Sequence, residues 1–490
     1  MEEEGEADAP RRFRGLALAA AIAAAVYAFP LPGLPEEGRR LAAVMALVAT
    51  LWVTEALPLA ATALLGPAIA VVAGVAPVKN AFAALANPIL VLFIGSFLIA
   101  RALEKHRMSE RIAYRALGLS AVRSDPLRAF VFLGLVTAFI SAWISNAATV
   151  AMMIPIAQSV LLAVSPRAAS GDADPARSPR FASGLMLLIA YAASLGGLFT
   201  PIGTPPNLIG LGLIEQATGV RISFGAWIVR CLPVTLATLL LMMAFMAWRF
   251  RGELGTLVFD RSQMRARYAA LGPWTAGQAL SGAALVAAFA GWLAPSVAGF
   301  FDEGVRALLE ARIPEGIVPL LAVAPLFVLL DGAGPERRPV LELADVRAID
   351  WGTILLFGGG MCLGDLMMQT GVARAIGDLA AGHVPGGGAL ALLAAVFAIV
   401  TSEFTSNTAS ANMVVPVVIA VAQQSGSDPL VPALAATVAC TFGFMLPVST
   451  PTNAMAYATG YVRQRDMIRT GVVLDLVGAV LLGLWFGWLL

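Results

Sequence analysis

The residues of this 490-residue chain whose types and spacing could do chemistry are neutral, and they come in pairs. The run Ser145-Asn146-Ala147-Ala148-Thr149-Val150-Ala151-Met152-Met153-Ile154-Pro155-Ile156 returns 261 residues later as Ser406-Asn407-Thr408-Ala409-Ser410-Ala411-Asn412-Met413-Val414-Val415-Pro416-Val417, with five of twelve positions identical. A second match lies downstream of each copy: Pro201-Ile202-Gly203-Thr204-Pro205-Pro206-Asn207 against Pro447-Val448-Ser449-Thr450-Pro451-Thr452-Asn453. A weaker echo upstream pairs Leu92-Phe93-Ile94-Gly95 with Leu356-Phe357-Gly358-Gly359.

Charge is nearly absent around these motifs. Segments 129–165 and 429–462 contain no Lys, Arg, His, Asp or Glu, 387–427 has only Glu403, and 181–217 only Glu215. The available groups are the hydroxyls and amides of Ser145, Asn146, Thr149, Thr204, Asn207, Ser406, Asn407, Thr408, Thr450 and Asn453. Such groups, set beside helix N-termini, suit a carboxylate or similar anion, because the free N–H groups and the helix dipole point at negative charge. A dianion held without a basic residue needs its charge compensated, and bound cations on hydroxyl, amide and freed carbonyl oxygens are the natural source. Cation-coupled anion uptake follows as the expectation. One Ser or Thr in a membrane helix often does no more than bond helix to helix, but packing does not require the same polar pair at matching places in two halves. Glu403, three residues before Ser406, could cap, carry a proton or brace its segment, and bracing is the expected role. Glu55, Arg230, Asp365 and Asp475 are expected as interfacial anchors, structural pairs or cavity-facing groups.

The elements that position these motifs are membrane helices. With 59% hydrophobic residues, 13% charged and a mean hydropathy of +0.82, the chain is too apolar for a soluble protein. A net charge of +1, three scattered cysteines and two histidines, His106 and His383, give no disulfide framework, His/Cys metal cluster, nucleophile–base pair or nucleic-acid surface. Neither an enzyme nor an organic cofactor is expected. Apolar stretches of roughly 20 residues place crossings near 14–30, 41–57, 59–76, 88–104, 181–217, 226–248, 272–293, 316–331, 350–370, 430–460 and 468–490. The first follows Arg11, Arg12 and Arg14 and reads as a retained helix rather than a signal peptide. Most Lys and Arg fall on one side if the N-terminus is cytoplasmic, including the stretches Arg101 to Arg128, Arg167 to Arg180, Arg249 to Arg267 and Arg337 to Arg347, which puts the C-terminus outside.

Two apolar segments, 129–164 and 387–424, carry the Ser-Asn pairs at their centres. Each half is about 16–18 residues, or about 24–27 Å of helix, short of the roughly 30 Å hydrocarbon core, and both segments read as re-entrant helical hairpins. An odd number of crossings between them makes them open to opposite faces. Gly196-Gly197 to Pro206 and Pro447 to Thr452 interrupt helices 181–217 and 430–460, and irregular backbone within a membrane persists only where protein or a polar cavity satisfies it. The expected fold is thus an all-α polytopic membrane protein with about eleven transmembrane helices and two re-entrant hairpins in an inverted-topology repeat. Its substrate and ion sites belong between the halves. Segment 297–315 reads as an amphipathic helix on the outer surface, and 105–128 as its counterpart on the inner one.

Together with Thr54-Glu55-Ala56-Leu57-Pro58 and Ser402-Glu403-Phe404-Thr405-Ser406-Asn407-Thr408, the repeated motifs make the chain resemble the divalent anion/sodium symporter family over about residues 14–490. The resemblance implies a homodimer of eleven-span protomers in the cell (inner) membrane. Each has a dimer-forming scaffold and a mobile transport part that works as an elevator, carrying di- and tricarboxylates or, in one branch, sulfate. By the same resemblance, Ser145, Asn146, Thr204, Ser406, Asn407, Thr408, Thr450 and Pro451 bind substrate. Ser141, Ser145, Asn146 and Gly203 form one sodium site, and Ser402, Thr405, Asn407 and Ser449 the other. The implied organisation is a cytoplasmic tail 1–13, scaffold 14–128, transport part 129–225, a sixth span with linker 226–271, scaffold 272–386 and transport part 387–490. Ala147 departs from the pattern, which has Thr third, and removes one neutral hydrogen bond worth about 0.5–1.5 kcal/mol. The expected function is sodium-coupled import of a small dianion, most simply a C4-dicarboxylate. Sulfate or citrate transport, or sodium-independent dicarboxylate exchange, stands as the alternative.

Overall fold

The computed structural model describes residues 2–29, 33–122, 125–166, 179–254, 257–332, 337–381 and 388–489. Arg167 and His383, both used in the sequence reading, lie outside the described residues. Among the described residues the fold is helical apart from two short antiparallel ribbons, Val164–Pro166 with Leu257–Phe259 and Leu330–Asp331 with Arg338–Pro339.

Four described stretches are long and apolar enough to cross a membrane: Phe224–Phe250, Ala276–Ala298, Trp351–Gln369 and Gln464–Trp488. They fall on four of the expected crossings. Helices Glu36–Thr54 and Pro88–Lys105 also have the length but carry charged residues at one end. The expected crossing 316–331 is different. Its α-helix runs only over Val318–Val323, continues as a 3-10 turn over Ala324–Phe327 and gives way to the second ribbon. Pro319 and Pro325 lack the N–H a continuing helix needs, and ten helical residues reach about 15 Å, too short to cross alone.

Both segments with a central Ser-Asn pair are helical hairpins. The first has arms Pro126–Ser141 and Asn146–Leu162, and the second has arms Gly388–Phe404 and Asn407–Gln424; the two arms of each pack on each other. Asp125 starts the first by accepting from the Leu127 N–H at 3.0 Å. The first broken helix runs Pro179–Gly196 and Pro205–Thr218, as the glycines and prolines suggest. The second breaks earlier than the sequence reading had it: Leu430–Ala439 ends before Cys440, and helix resumes only at Pro451–Ala458.

Packing is crosswise. The second arm of each broken helix lies against the second arm of the other half's hairpin. Between Ala182 and Leu195 the first broken helix is buried on every side, as an all-round apolar helix should be. The upstream echo has a physical counterpart, since Phe93 and Phe357, aligned in the two halves, pack with ring centroids 5.2 Å apart. Asp345 of the second half joins Lys105 at 2.7 Å and Arg101 at 3.2 Å of the first. Burial opposes the Asp345 charge, but the Lys105 ammonium and the Glu342 N–H hold its carboxyl below the usual carboxylate range.

The outer amphipathic segment contains a separate helix, Glu303–Arg312, with no buried residue. Its expected inner counterpart is not a free surface helix. Met108–Leu117 packs against Arg261–Ala270, and its Arg111 is buried, donating to the carbonyls of Leu271, Gly272 and Pro273 and lying over the rings of Tyr268 and Trp274.

Candidate functional site

Each hairpin turns through an extended Ser that caps the second arm. Ser145 (φ −54°, ψ 145°) accepts from the Ala148 N–H at 3.3 Å, and Ser406 (φ −65°, ψ 144°) from the Ala409 N–H at 3.2 Å. Serine suits this place because its hydroxyl serves an N–H group that the first helical turn leaves free. The asparagine that follows folds back on the first arm: Ser141 Oγ donates to Asn146 Oδ1 at 2.8 Å, and Ser402 Oγ lies 2.8 Å from Asn407 Oδ1. Both asparagines are 8% exposed, so each polar group is nearly committed to the protein interior.

The broken helices match in the same way. Thr204 (φ −146°, ψ 143°) and Thr450 (φ −151°, ψ 146°) are extended residues ahead of Pro205 and Pro451, which open the second arms. Proline fits there because the first helical N–H has no partner to lose. Asn207 Nδ2 ties its break together through the carbonyls of Gly197 (2.9 Å) and Thr200 (2.8 Å). Asn453 Nδ2 does so through Gly443 (2.8 Å) and Leu446 (3.0 Å). In both, the side-chain oxygen is buried without a hydrogen-bond partner. An orphaned buried acceptor costs about 1–3 kcal/mol, so two at matching positions call for a donor or cation.

Hairpin and break are joined in each half. Asn146 Nδ2 reaches Thr204 Oγ1 at 3.4 Å, and Thr200 Oγ1 donates to the Ala142 carbonyl at 2.5 Å. A Cβ on Gly203 would stand 2.5 Å from the Gly197 oxygen and 2.9 Å from the Ser141 oxygen, so only glycine leaves those carbonyls gathered there. In the second half, Ser402 Oγ lies 2.6 Å from the Cys440 carbonyl, and Ser449 Oγ reaches the carbonyls of Gly443 (2.7 Å) and Leu446 (2.8 Å). Thr405 Oγ1 pairs with Ser410 Oγ at 2.6 Å. Thr452 links the halves, lying 3.2 Å from Ser194 Oγ and 3.4 Å from Thr450 Oγ1.

The expected residues therefore fall into two oxygen-rich clusters, one per half. Ser141, Ser145, Asn146, Gly203 and Thr204 meet in the first; Ser402, Thr405, Ser406, Asn407 and Ser449 meet around the second turn and break. Thr450 is buried, Thr408 is half-buried, and Pro451 is exposed. A cavity of about 320 Å³ borders this region at Pro201, between the first broken helix and Trp292 and Glu315, and takes in none of the Ser-Asn residues. The clusters suit a hard cation with oxygen ligands: side-chain and carbonyl oxygens converge in each, and the unpartnered asparagine oxygens supply further acceptors. Four helix N-termini, two per half, offer N–H groups to an anion.

Glu403 braces the second cluster. It is fully buried and accepts from the Met445 N–H at 2.8 Å and the Leu446 N–H at 3.1 Å. Three residues escaped the sequence reading of the site: Thr200, which braces the first half, Thr452, which joins the halves, and Tyr191, whose hydroxyl donates to the Phe444 carbonyl at 2.9 Å. Thr200 stands opposite Leu446 in the alignment, so the repeat that exposed the other residues hid this one.

Residues 11–490 match the family described as the sodium:sulfate symporter transmembrane region. An uncharacterized transporter of Haemophilus influenzae is 32% identical over 463 residues, 92% of each chain. The sodium-dependent dicarboxylate transporter SdcS of Staphylococcus saprophyticus is 28% identical over 93% of this chain and 86% of its own. Among solved structures, the Alcanivorax borkumensis YdaH transporter, described as having an unusual topology, superposes with a TM-score of 0.53 at 16% identity, covering 83% of this chain and 87% of its own, a likeness of fold alone. The chain belongs to the sodium:sulfate symporter family: it is a multi-pass membrane transporter that moves an anion with sodium, and not an enzyme.

Proposed function

We propose that the chain imports small dianions, most simply C4-dicarboxylates such as succinate, malate and fumarate, with sodium, by an elevator motion of the transport part against the scaffold. The observation that carries this reading is the pair of matched clusters, each with a Ser-Asn turn, an extended Thr-Pro start and a buried asparagine oxygen without a partner, in segments almost free of charge. In it, substrate carboxylates meet Ser145, Asn146, Thr204, Ser406, Asn407, Thr408, Thr450 and the helix start at Pro451. Sodium is held by Ser141, Ser145, Asn146 and Gly203 in one half and by Ser402, Thr405, Asn407 and Ser449 in the other. A relative named a sodium-dependent dicarboxylate transporter, covered almost end to end, supports the substrate class.

The same reading takes the hairpins as re-entrant. Their arms of 16, 17, 17 and 18 residues are about 24–27 Å long, less than the roughly 30 Å hydrocarbon core. It places the N-terminus in the cytoplasm, the C-terminus outside and two protomers in a homodimer of about eleven spans each, with boundaries at 14–128, 129–225, 226–271, 272–386 and 387–490. A sulfate or citrate carrier is the second reading, favoured by the sulfate in the family's name and by Ala147 in the first turn, where a hydroxyl would widen carboxylate contacts. A sodium-independent dicarboxylate exchanger is the remaining alternative.

The test is uptake of labelled succinate into proteoliposomes under an inward sodium gradient, against potassium, with citrate and sulfate as competitors. Sodium-driven succinate uptake is expected. Sulfate or citrate uptake without succinate uptake replaces the substrate, and equal succinate uptake without sodium removes the coupling.

A further inference from the structure

The cavity of about 320 Å³ beside the first cluster holds none of the Ser-Asn residues, and its walls come from two parts of the chain. Leu208, Leu211 and Glu215 belong to the second arm of the first broken helix, within the segment 129–225 proposed above to move. Ile89, Leu92 and Glu315 belong to the segments proposed as scaffold. The volume lies at the small end of the roughly 300–1,000 Å³ of small-molecule sites.

The wall around Glu315 is firmly built. The buried Trp292 donates its indole N–H to the Glu315 carbonyl at 3.1 Å and stacks on Phe224 with ring centroids 4.7 Å apart. The Phe224 N–H in turn donates to Glu315 Oε1 at 2.9 Å. A Cβ on the next residue, Gly316, would stand 2.8 Å from the Pro88 carbonyl, so this loop lies directly on the start of helix Pro88–Lys105. The space is therefore preformed rather than a gap between loose side chains.

Its polar groups are unbalanced. Glu215 and Glu315 line the cavity against one arginine, Arg221. Arg221 Nη2 stands 4.0 Å from Glu315 Oε2, too far for a hydrogen bond, and its side chain is 48% exposed. Glu315 Oε2 thus keeps its capacity to accept, and the Glu215 carboxylate makes no hydrogen bond or ion pair among the described residues. A dianion would meet two carboxylates and one guanidinium, which excludes the substrate as the occupant. A plain alkyl chain would fill the apolar walls and leave both carboxylates unused. An ammonium group on a short apolar body matches both, because a charge taken out of water needs an opposite charge and acceptors beside it.

We infer that this cavity binds a small amphipathic cation, an alkylammonium in chemical class, and that the bound cation arrests transport by wedging the moving part against the scaffold. The apolar body lies among Ile89, Leu92, Leu208 and Leu211, and the ammonium lies at Glu215 and Glu315. The arrest, though not the binding, rests on the elevator reading proposed above.

The test uses hexylammonium, with hexanoate and hexanol as probes of the same tail, titrated calorimetrically into the purified full-length protein in detergent. Hexylammonium is expected to bind at least about tenfold more tightly than either, the scale of one hydrogen bond to a charged group. Glu215→Gln, which keeps the shape and removes a charge, should weaken it by about tenfold, and Ile89→Trp, which fills the space from the scaffold side, should abolish it. Equal binding of the three probes, or undiminished binding of hexylammonium in both variants, overturns the site whether or not the preparation takes up succinate. In proteoliposomes, hexylammonium should lower the maximal rate of sodium-driven succinate uptake in wild type and leave that of Ile89→Trp unchanged. Saturated binding with undiminished uptake overturns the wedge while leaving the dicarboxylate reading intact.

Discussion

The two clusters share a cradle and differ in what holds it. Ser-Asn turn, extended Thr before Pro, and asparagine bonded across its own break recur in both halves with dihedrals that differ by no more than 11°. The supports do not recur. The first half relies on backbone brought into close contact, with Gly196 against Ala138, Gly197 against Asn146 and Gly203 against the Gly197 and Ser141 carbonyls, and on one hydroxyl brace from Thr200 to Ala142. The second half uses polar side chains: Glu403 on two backbone N–H groups, Ser449 where the first half has Gly203, and the Thr405–Ser410 pair. Groups of the cradle proposed to meet substrate or sodium recur, whereas groups that only fix its shape are replaced by any chemistry that does the same. The longer break of the second half, 440–450 against 197–204, fits this, because a longer irregular stretch leaves more backbone groups for side chains to satisfy.

If the cradles are equivalent, Asn146→Ala and Asn407→Ala should be equally severe. Each removes an amide that receives its own half's serine and leaves that hydroxyl in a nearly closed site. Uptake should fall roughly a hundredfold in both, the effect of losing buried hydrogen bonds worth about 1.5–3 kcal/mol with ligand contacts besides. Membrane insertion, followed by yield in the bilayer fraction, should be unchanged. Near-normal uptake in one of the two would show that only one cluster serves transport.

The cradles were legible in the sequence because duplication marks them, whereas their supports were not. A Ser-Asn pair found twice, with Thr-Pro-x-Asn after it twice, announces a site without any knowledge of geometry. Thr200 faces a leucine in the alignment, and Gly196 and Gly197 look like ordinary helix breakers until the structure shows Asn146 packed on the second of them. The hairpins, broken helices and long apolar helices were equally readable from length and hydropathy. The short helical run Val318–Phe327 was not, since ten-residue helices and full spans look alike in an apolar run until the prolines are given their geometric weight.

The supports separate the halves more sharply. Glu403→Ala strands two buried N–H groups, each costing about 1–3 kcal/mol, whereas Thr200→Val strands one carbonyl and keeps its shape. A thermal-unfolding series in detergent should therefore show the larger loss for Glu403→Ala, by about 2 kcal/mol or more. Equal losses would mean that the brace in the second half does no more than the hydroxyl in the first.

The glycines invert that order. A methyl on Gly197 would overlap Asn146 Oδ1, while one on Gly443 meets nothing closer than Ser449 at 3.2 Å. Overpacking of the first kind costs about 1–3 kcal/mol, and here it falls on the Asn146 amide of the proposed site. Gly197→Ala should cut uptake about tenfold or more, and Gly443→Ala by no more than about twofold. The reverse ranking would remove the claim that close backbone packing supports the first cradle.

The smallest effect tests the pair that the first half lacks. Ser410 has Thr405 as its partner, five residues earlier; the matching positions of the first half are Thr149 and Ile144, and the buried Thr149 hydroxyl has no partner. Replacing Ile144 by Val and by Thr compares two side chains of the same shape, one apolar and one able to reach Thr149 as Thr405 reaches Ser410. If the backbone of the first turn matches the second as its dihedrals indicate, the Thr variant recovers a buried hydrogen bond and is more stable than the Val variant by about 0.5–1.5 kcal/mol. If the two turns differ in a way their dihedrals conceal, the new hydroxyl stays unsatisfied and the Thr variant is the less stable by about 1–3 kcal/mol. The sign of that difference, read from paired unfolding curves, decides whether the likeness of the halves extends one layer past the cradle.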